Sequence, residues 1–428
     1  MSQHYSPTGY ARLTPLQARA VLAATTLLLV FCVGITLSPL ASSNPQQYQS
    51  GPGDVALYLA EIDRIHAGEG YYQAAAAELT SRGYPTRSVF NWRTPLPMWL
   101  LGRLPTAELG KGLLGLLALA LMFVAFEALA REENIKPRPV VAVRGATPRP
   151  VVAVRGATPR PVVAVRGATT GRGFMLTHPV ACALLLTGPL LPTILGDLFV
   201  LPVLWAGVLI ALSACAYGIN RPGWGVALGL AAVFFRELAL PYCVLAAAIA
   251  LWHRRRGEVL AWAVGLVAWL LFFGLHWLQV SQWIAPDARM HRERWLQWGG
   301  AGFVISTVQM NVYLLLLPQW VTAIYFVAAM AGFAGWHTPL GTRIGLSTCL
   351  FVAAFAVVGH NFNQYWGSLI APLLCFGVAR FPASLRDLCR AAARTGESTS
   401  GGLSRFSSDE NGTVPLPSAR KVAARGEW

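Results

Sequence analysis

The chain has 428 residues, of which 55% are hydrophobic and only 12% charged, whereas soluble domains carry about 25% charged residues. The formal net charge is +15, but the arginines gather in short connections and tails between apolar spans, which argues against nucleic acid as a partner and for a lipid bilayer with basic residues held on its cytoplasmic side. Seven cysteines, six of them in apolar segments and none in a CxxC pair, argue against a disulfide framework or a zinc site.

An arm of residues 1–18 precedes an apolar run from about Ala20 to Ala41. That run reaches the roughly 20 residues a span requires and exceeds the apolar region of a cleaved leader, so it reads as a first transmembrane helix with a cytoplasmic arm. Residues 42–95 read as a polar outer loop, and a second span runs from about Thr106 to Ala130. The segment 131–172 is strongly basic and holds three copies of the unit PRPVVAVRGAT, beginning at Pro137, Pro148 and Pro159. Its prolines block helix and central strand, so a disordered cytoplasmic insert is expected.

Further spans cover about His178 to Leu195, closed by a tight turn at Gly196-Asp197, and about Phe199 to Tyr217. The stretch Gly223 to Trp252 has basic residues at both flanks and Arg236-Glu237 in its middle. Two short or broken helices, with this pair near the outer face, fit that pattern; a single tilted span with a buried ion pair is the alternative. Another span covers about Val259 to Val280, and tryptophans beside arginines between Ser281 and Gly300 suggest an interfacial helix. Three or four apolar segments follow across 301–381, and 382–428 is expected to be a disordered cytoplasmic tail. The expected fold class is all-α, a polytopic transmembrane helical bundle of about ten to twelve spans over residues 19–381 with a helical first outer loop.

Polar groups are costly in a bilayer, so their clusters carry information. Asp54 follows Gly51-Pro52-Gly53, and Val55, Tyr58, Ile62 and Ile65 recur at helical spacing behind it. Asp54 is therefore placed to cap a helix, to face a site as a base, or both; at a helix N-terminus its carboxylate stays ionised. The segment from Tyr84 to Trp99 is rich in aromatics and proline, and within it Arg87 or Arg93 is a candidate for holding a phosphate, against the plainer reading of an interfacial anchor. Arg236 and Glu237 are either a structural ion pair at a helix break or part of the site. His360, Asn361, Asn363, Gln364 and Tyr365 form a dense hydrogen-bonding set between apolar runs, and Asp197 is a weaker candidate, as readily an ordinary turn residue.

Asp54-x-x-x-Tyr58-x-x-x-Ile62, then Gly68-x-Gly70-Tyr71-Tyr72, then Arg93-x-Pro95-Leu96-x-x-Trp99 resembles the GT-C superfamily of integral membrane glycosyltransferases, in particular the aminoarabinose and mannosyl transferases that use polyprenyl-phosphate sugars. The sequence departs from the family in having Asp54-Val55 where an acidic pair is common, and Arg-Thr-Pro-Leu where many members have Lys-Pro-Pro-Leu. The resemblance implies a plasma-membrane enzyme with its site on the outer face, a polyprenyl-phosphate sugar as donor, and a lipid, glycan or protein acceptor. It implies that Asp54 is the base, that Arg93, Arg236 or Arg87 neutralises the departing phosphate, and that the sugar carbon inverts. A divalent cation is compatible with this chemistry, although no ligand cluster in the sequence demands one. A transporter or lipid flippase, or a non-catalytic protein that kept the fold, are the other readings.

Overall fold

The computed structural model describes residues 7–38, 53–134, 177–290, 298–359 and 361–394. The three tandem repeats, the first part of the outer loop, His360 and everything past residue 394 lie outside these residues. Among the described residues the chain is helical, with no strand.

After one 3-10 turn at Gly9–Arg12 comes α1 (Pro15–Leu37). Thr14 and Gln17 close a capping box at its start, and Pro15 fills the first helical position, where its missing N–H costs nothing. Three helices then form a separate group: α2 (Gly53–His66), α3 (Tyr71–Ser81) and α4 (Pro95–Arg103). The bundle continues with α5 (Ala107–Asn134), α6 (His178–Leu190), α7 (Pro202–Gly218), α8 (Pro222–Phe235), α9 (Leu240–Trp252) and α10 (Arg256–Trp283). It ends with α11 (Gly300–Val308), the single turn α12 (Val312–Leu315), α13 (Gln319–Ala334), α14 (Pro339–Val357), a 3-10 segment at Asn361–Leu369, and α15 (Ala371–Ala393).

The helices are sorted by what they bury. In α7 every residue from Pro202 to Ala216 is buried, and α5, α8, α14 and α15 pack around it. By contrast α1 and α10 leave most of their apolar surface uncovered, with Leu27, Phe31, Leu270, Leu271, Leu275 and Leu278 all more than half exposed. Patches of this kind are not stable against water, and they are the surface that lipid requires. Among the described residues α1, α5, α10 and α14 are long and apolar enough to cross a bilayer, with a fifth span if the bent pair 362–369 and 371–393 counts as one. The shortfall from the ten to twelve spans expected lies in five apolar helices of 10–17 residues, which are shorter than a full crossing.

Contacts separate the two ends of the bundle. At one end Arg131 donates to Ile219 O, Trp336 to Glu132, and Arg19 to Ala392 O, and Arg343 sits 3.8 Å from Glu258. At the other end the α2–α4 group meets the C-terminus of α8, through Thr94 Oγ1 on Phe234 O, and the later half of α10, through Tyr72 and Trp92 on His276. The basic connection at 253–256 and the basic ends of α1, α5 and α15 therefore collect opposite the α2–α4 group, whereas Arg289 in the connection after α10 lies beside it.

Gly223 to Trp252 is two helices, α8 and α9, broken at Arg236, which is fully extended (φ −151°, ψ 117°). Pro241 near the start of α9 explains the position, since a continuous helix would drive its ring into the carbonyl four residues back. Two expectations are corrected. The tail does not begin at 382: α15 stays helical to Ala393, because Asp387 accepts from both Thr8 N–H and Thr8 Oγ1 and Arg394 reaches Ala11 O, docking the helix on the N-terminal arm. The interfacial helix across Ser281–Gly300 does not form where the chain is described, since α10 stops at Trp283 and Pro286 prevents its continuation through Ile284–Met290.

Candidate active site

Helix α2 buries Leu57, Tyr58, Glu61, Ile62 and Ile65. Asp54, Tyr58 and Glu61, spaced i, i+4 and i+7, form a polar line along it. Asp54 does not cap the helix as expected; the helix already includes Gly53, so Asp54 sits in its first turn, half-buried, and its Oδ1 accepts from Tyr84 Oη at 3.1 Å. Tyr58 is 3% exposed, and burial pushes its phenol far above the usual range, with Arg93 opposing and Asp54 adding to the rise.

Arg93 is held by the proline-rich segment before α4. Trp92 Nε1 donates to Thr86 O at 2.9 Å and Asn91 Nδ2 to Pro85 O, folding the segment back on itself. Tyr71 Oη then donates to Arg93 O, fixing the backbone from α3. The guanidinium spreads across three oxygens: Nε donates to Tyr58 Oη at 2.9 Å, Nη1 to Phe90 O at 2.7 Å and Nη2 to Tyr365 Oη at 3.3 Å. All three acceptors are neutral. Among the described residues no carboxylate comes within ion-pair distance of Arg93, although Asp54 and Glu237 lie within its electrostatic reach.

The break between α8 and α9 brings the second cation. Arg236 is 3% exposed and pairs with Glu237 at 3.2 Å, and among the described residues Arg236 Nε and Glu237 Oε2 have no hydrogen-bond partner. Both Arg236 and Arg93 bear on Tyr58 and Tyr365. Asn363, 3% exposed with its Nδ2 unpartnered, and half-buried Gln364 stand on the same 3-10 segment as Tyr365.

Asp54, Tyr58, Arg93, Arg236, Glu237 and Tyr365 are thus brought together from four separate stretches of chain. Two candidates are not. Arg87 is exposed, and its described link is a backbone bond from its N–H to Arg289 O. Asp197 is exposed in the turn before 198–200, a segment that packs on α2 and α4. His360 and the side chain of Asn361 lie outside the described residues. Among the described residues no group of three His, Cys, Asp or Glu is placed to hold a metal ion.

Three residues of the site were missed in the sequence. Tyr84 is the partner of Asp54. His276 joins Tyr72, at 3.2 Å, to Trp92 O, at 3.3 Å, and so ties α3 and the Arg93 segment to α10. Glu61 is 2% exposed with Oε2 unpartnered, and burial, opposed by Arg93, raises its carboxyl to about 8. A readable signal existed for Glu61 alone, as an acid on an otherwise apolar stripe one helical repeat from Asp54 and Tyr58.

No family model, curated protein or solved structure matches the chain.

Proposed function

We propose that this chain is a membrane-embedded, inverting glycosyltransferase of the GT-C kind, which moves a sugar from a polyprenyl-phosphate donor to an acceptor hydroxyl at the outer face of the plasma membrane. The observation that carries the reading is Arg93, a cation with only neutral oxygens as partners, set beside the carboxylate of Asp54. That pairing is what the chemistry needs. The acceptor hydroxyl gives its proton to Asp54 Oδ2, the oxygen that Tyr84 does not occupy. The acceptor oxygen bonds to the anomeric carbon as the bond to the phosphate oxygen breaks, and configuration inverts. The phosphate leaves as an anion, so no acid has to protonate it; Arg93, with Arg236 behind it, takes up the charge.

The surroundings suit a lipid donor. The exposed apolar groove along α10 is lined by Leu270, Leu271, Phe273, Leu275, Trp277 and Leu278. Phe90 packs on Phe273 and Trp277, and the carbonyl of Phe90 touches Arg93. A hydrocarbon tail lying in the groove leads directly to the cation. The basic connections at the opposite end of the bundle support a site on the non-cytoplasmic side by the positive-inside rule.

The break at Arg236 also supports a transporter reading, since transporters use broken helices at their binding sites. Those breaks lie near the bilayer midplane, whereas this one abuts the α2–α4 group at the end of the bundle.

The test is transfer of label from radiolabelled polyprenyl-phosphate sugars to a membrane acceptor extract by the purified protein in lipid nanodiscs. Asp54→Asn is expected to lower the rate by roughly 10²–10⁴-fold, the scale of a lost general base, with donor binding retained. Undiminished transfer by Asp54→Asn removes the base. Absence of transfer from every donor, with vesicle flux of the same lipids, selects the transporter.

A further inference from the structure

Glu61 has no part in the chemistry above, yet it is the most deeply buried acid near it. It lies on the same line of α2 as Asp54 and Tyr58, 2% exposed, with one carboxyl oxygen unpartnered. The charged and titratable groups that face it are Asp54 and Tyr58 on its own helix, Tyr71, Glu78 and Arg82 from α3, and Arg93 just ahead of α4. The segment 198–200, which also packs on α2, brings none. Glu78 and Arg82 already satisfy each other at 3.1 Å, and Arg64 binds Glu78 as well. Arg93 is therefore the cation that Glu61 would pair with if it carried a charge. In the structure Arg93 turns its three nitrogens to hydroxyl and carbonyl oxygens, and among the described residues it forms no ion pair with Glu61.

We propose that Glu61 sets how strongly the Arg93 site holds an anionic headgroup: as a neutral carboxylic acid it leaves the guanidinium charge to the ligand, and as a carboxylate it competes for that charge. This rests on the reading of Arg93 as the phosphate holder and adds a control that Asp54, Arg236 and Tyr365 do not supply. Binding of the anion and the proton on Glu61 are then linked, each strengthening the other by the same factor. Burial lifts this carboxyl to about 8, so the control falls just above neutral pH. Tyr58, Tyr71 and Tyr84 are pushed by burial well above that window and do not contribute.

The experiment is equilibrium binding of a short-chain isoprenyl phosphodiester, whose single charge is constant over the range, to the full chain in nanodiscs between pH 7 and 9.5. The intact protein is expected to lose affinity on the order of tenfold across the range, the scale of one neighbouring charge, while Glu61→Gln stays within about twofold. Equal profiles for the two overturn the role of Glu61. Binding that is absent, or unchanged in Arg93→Gln, overturns instead the reading of Arg93 as phosphate holder. Should Glu61→Gln fail to fold, the intact protein decides alone: it is expected to take up protons on binding near pH 8.5, seen as a dependence of calorimetric heat on buffer, and the absence of uptake overturns the proposal.

Discussion

Asp54 and Glu61 are two carboxyl groups on one face of one helix, and their surroundings assign them different work. Asp54 is half-buried and accepts a single phenolic hydrogen bond, whereas Glu61 is 2% exposed with an unpartnered oxygen. Folding raises the Glu61 carboxyl from 4.5 to about 8. As pH rises the unfolded chain therefore releases this proton before the folded chain does. The contribution of Glu61 to stability is whole below about 4.5, erodes up to about 8 and stays eroded above. Glu61→Gln keeps the neutral shape without the titration. Its melting temperature is expected to match the parent near the lower limit and to exceed it by a few degrees at about pH 9; a variant no more stable than the parent at the upper limit would mean that folding does not raise the Glu61 carboxyl. Asp54 was singled out in the sequence because a helix start and the family resemblance coincide on it. The pairing of Asp54 with Tyr84 was not, because the loop that returns Tyr84 to α2 is shaped by hydrogen bonds such as Trp92 to Thr86, which no periodicity encodes.

Among the helices, the strongest constraint is between α13 and α15. Gly332 on α13 and Gly377 on α15 let the two backbones approach so closely that a Cβ on Gly332 would collide with the Gly377 carbonyl. In lipid, where apolar side chains gain nothing by leaving one solvent for another like it, such close backbone packing supplies much of the attraction between helices. Gly332→Ala is expected to cost on the order of 1–3 kcal/mol, read as a drop in thermal stability in detergent, because the obstructing atoms are backbone and cannot turn aside. An unchanged melting temperature would show that the helices have room to separate. The break between α8 and α9 was legible from basic flanks on a segment too long for one span and too short for two ordinary ones. The helical extension of α15 was not, because its partners, Thr8 and Ala11, sit at the far end of the chain.

For the molecule as a whole, the described residues on either side of the basic repeats lie close together, with the His178 backbone within electrostatic reach of the Glu133 carboxyl and α5 packed against α6. A loop whose ends already meet adds little closure cost however long it is. Replacing residues 135–176 with a short Gly/Ser linker is expected to leave the melting temperature within about 2 °C and phosphodiester binding unchanged; loss of either would show that the repeats contact the bundle.

Hydropathy and charge act residue by residue, so the chain alone determines that its described residues are helical, that several of these helices are apolar enough to cross a bilayer, roughly where they start and stop, and which connections are basic. The site is different in kind. Asp54, Arg93, Arg236 and Tyr365 each stand out within their own stretch of sequence, but local propensity favours none of them as neighbours. They meet only because the α2–α4 group seats against the broken end of α8 and the 3-10 turn before α15, and that seating depends on the packing of surfaces far apart in the chain.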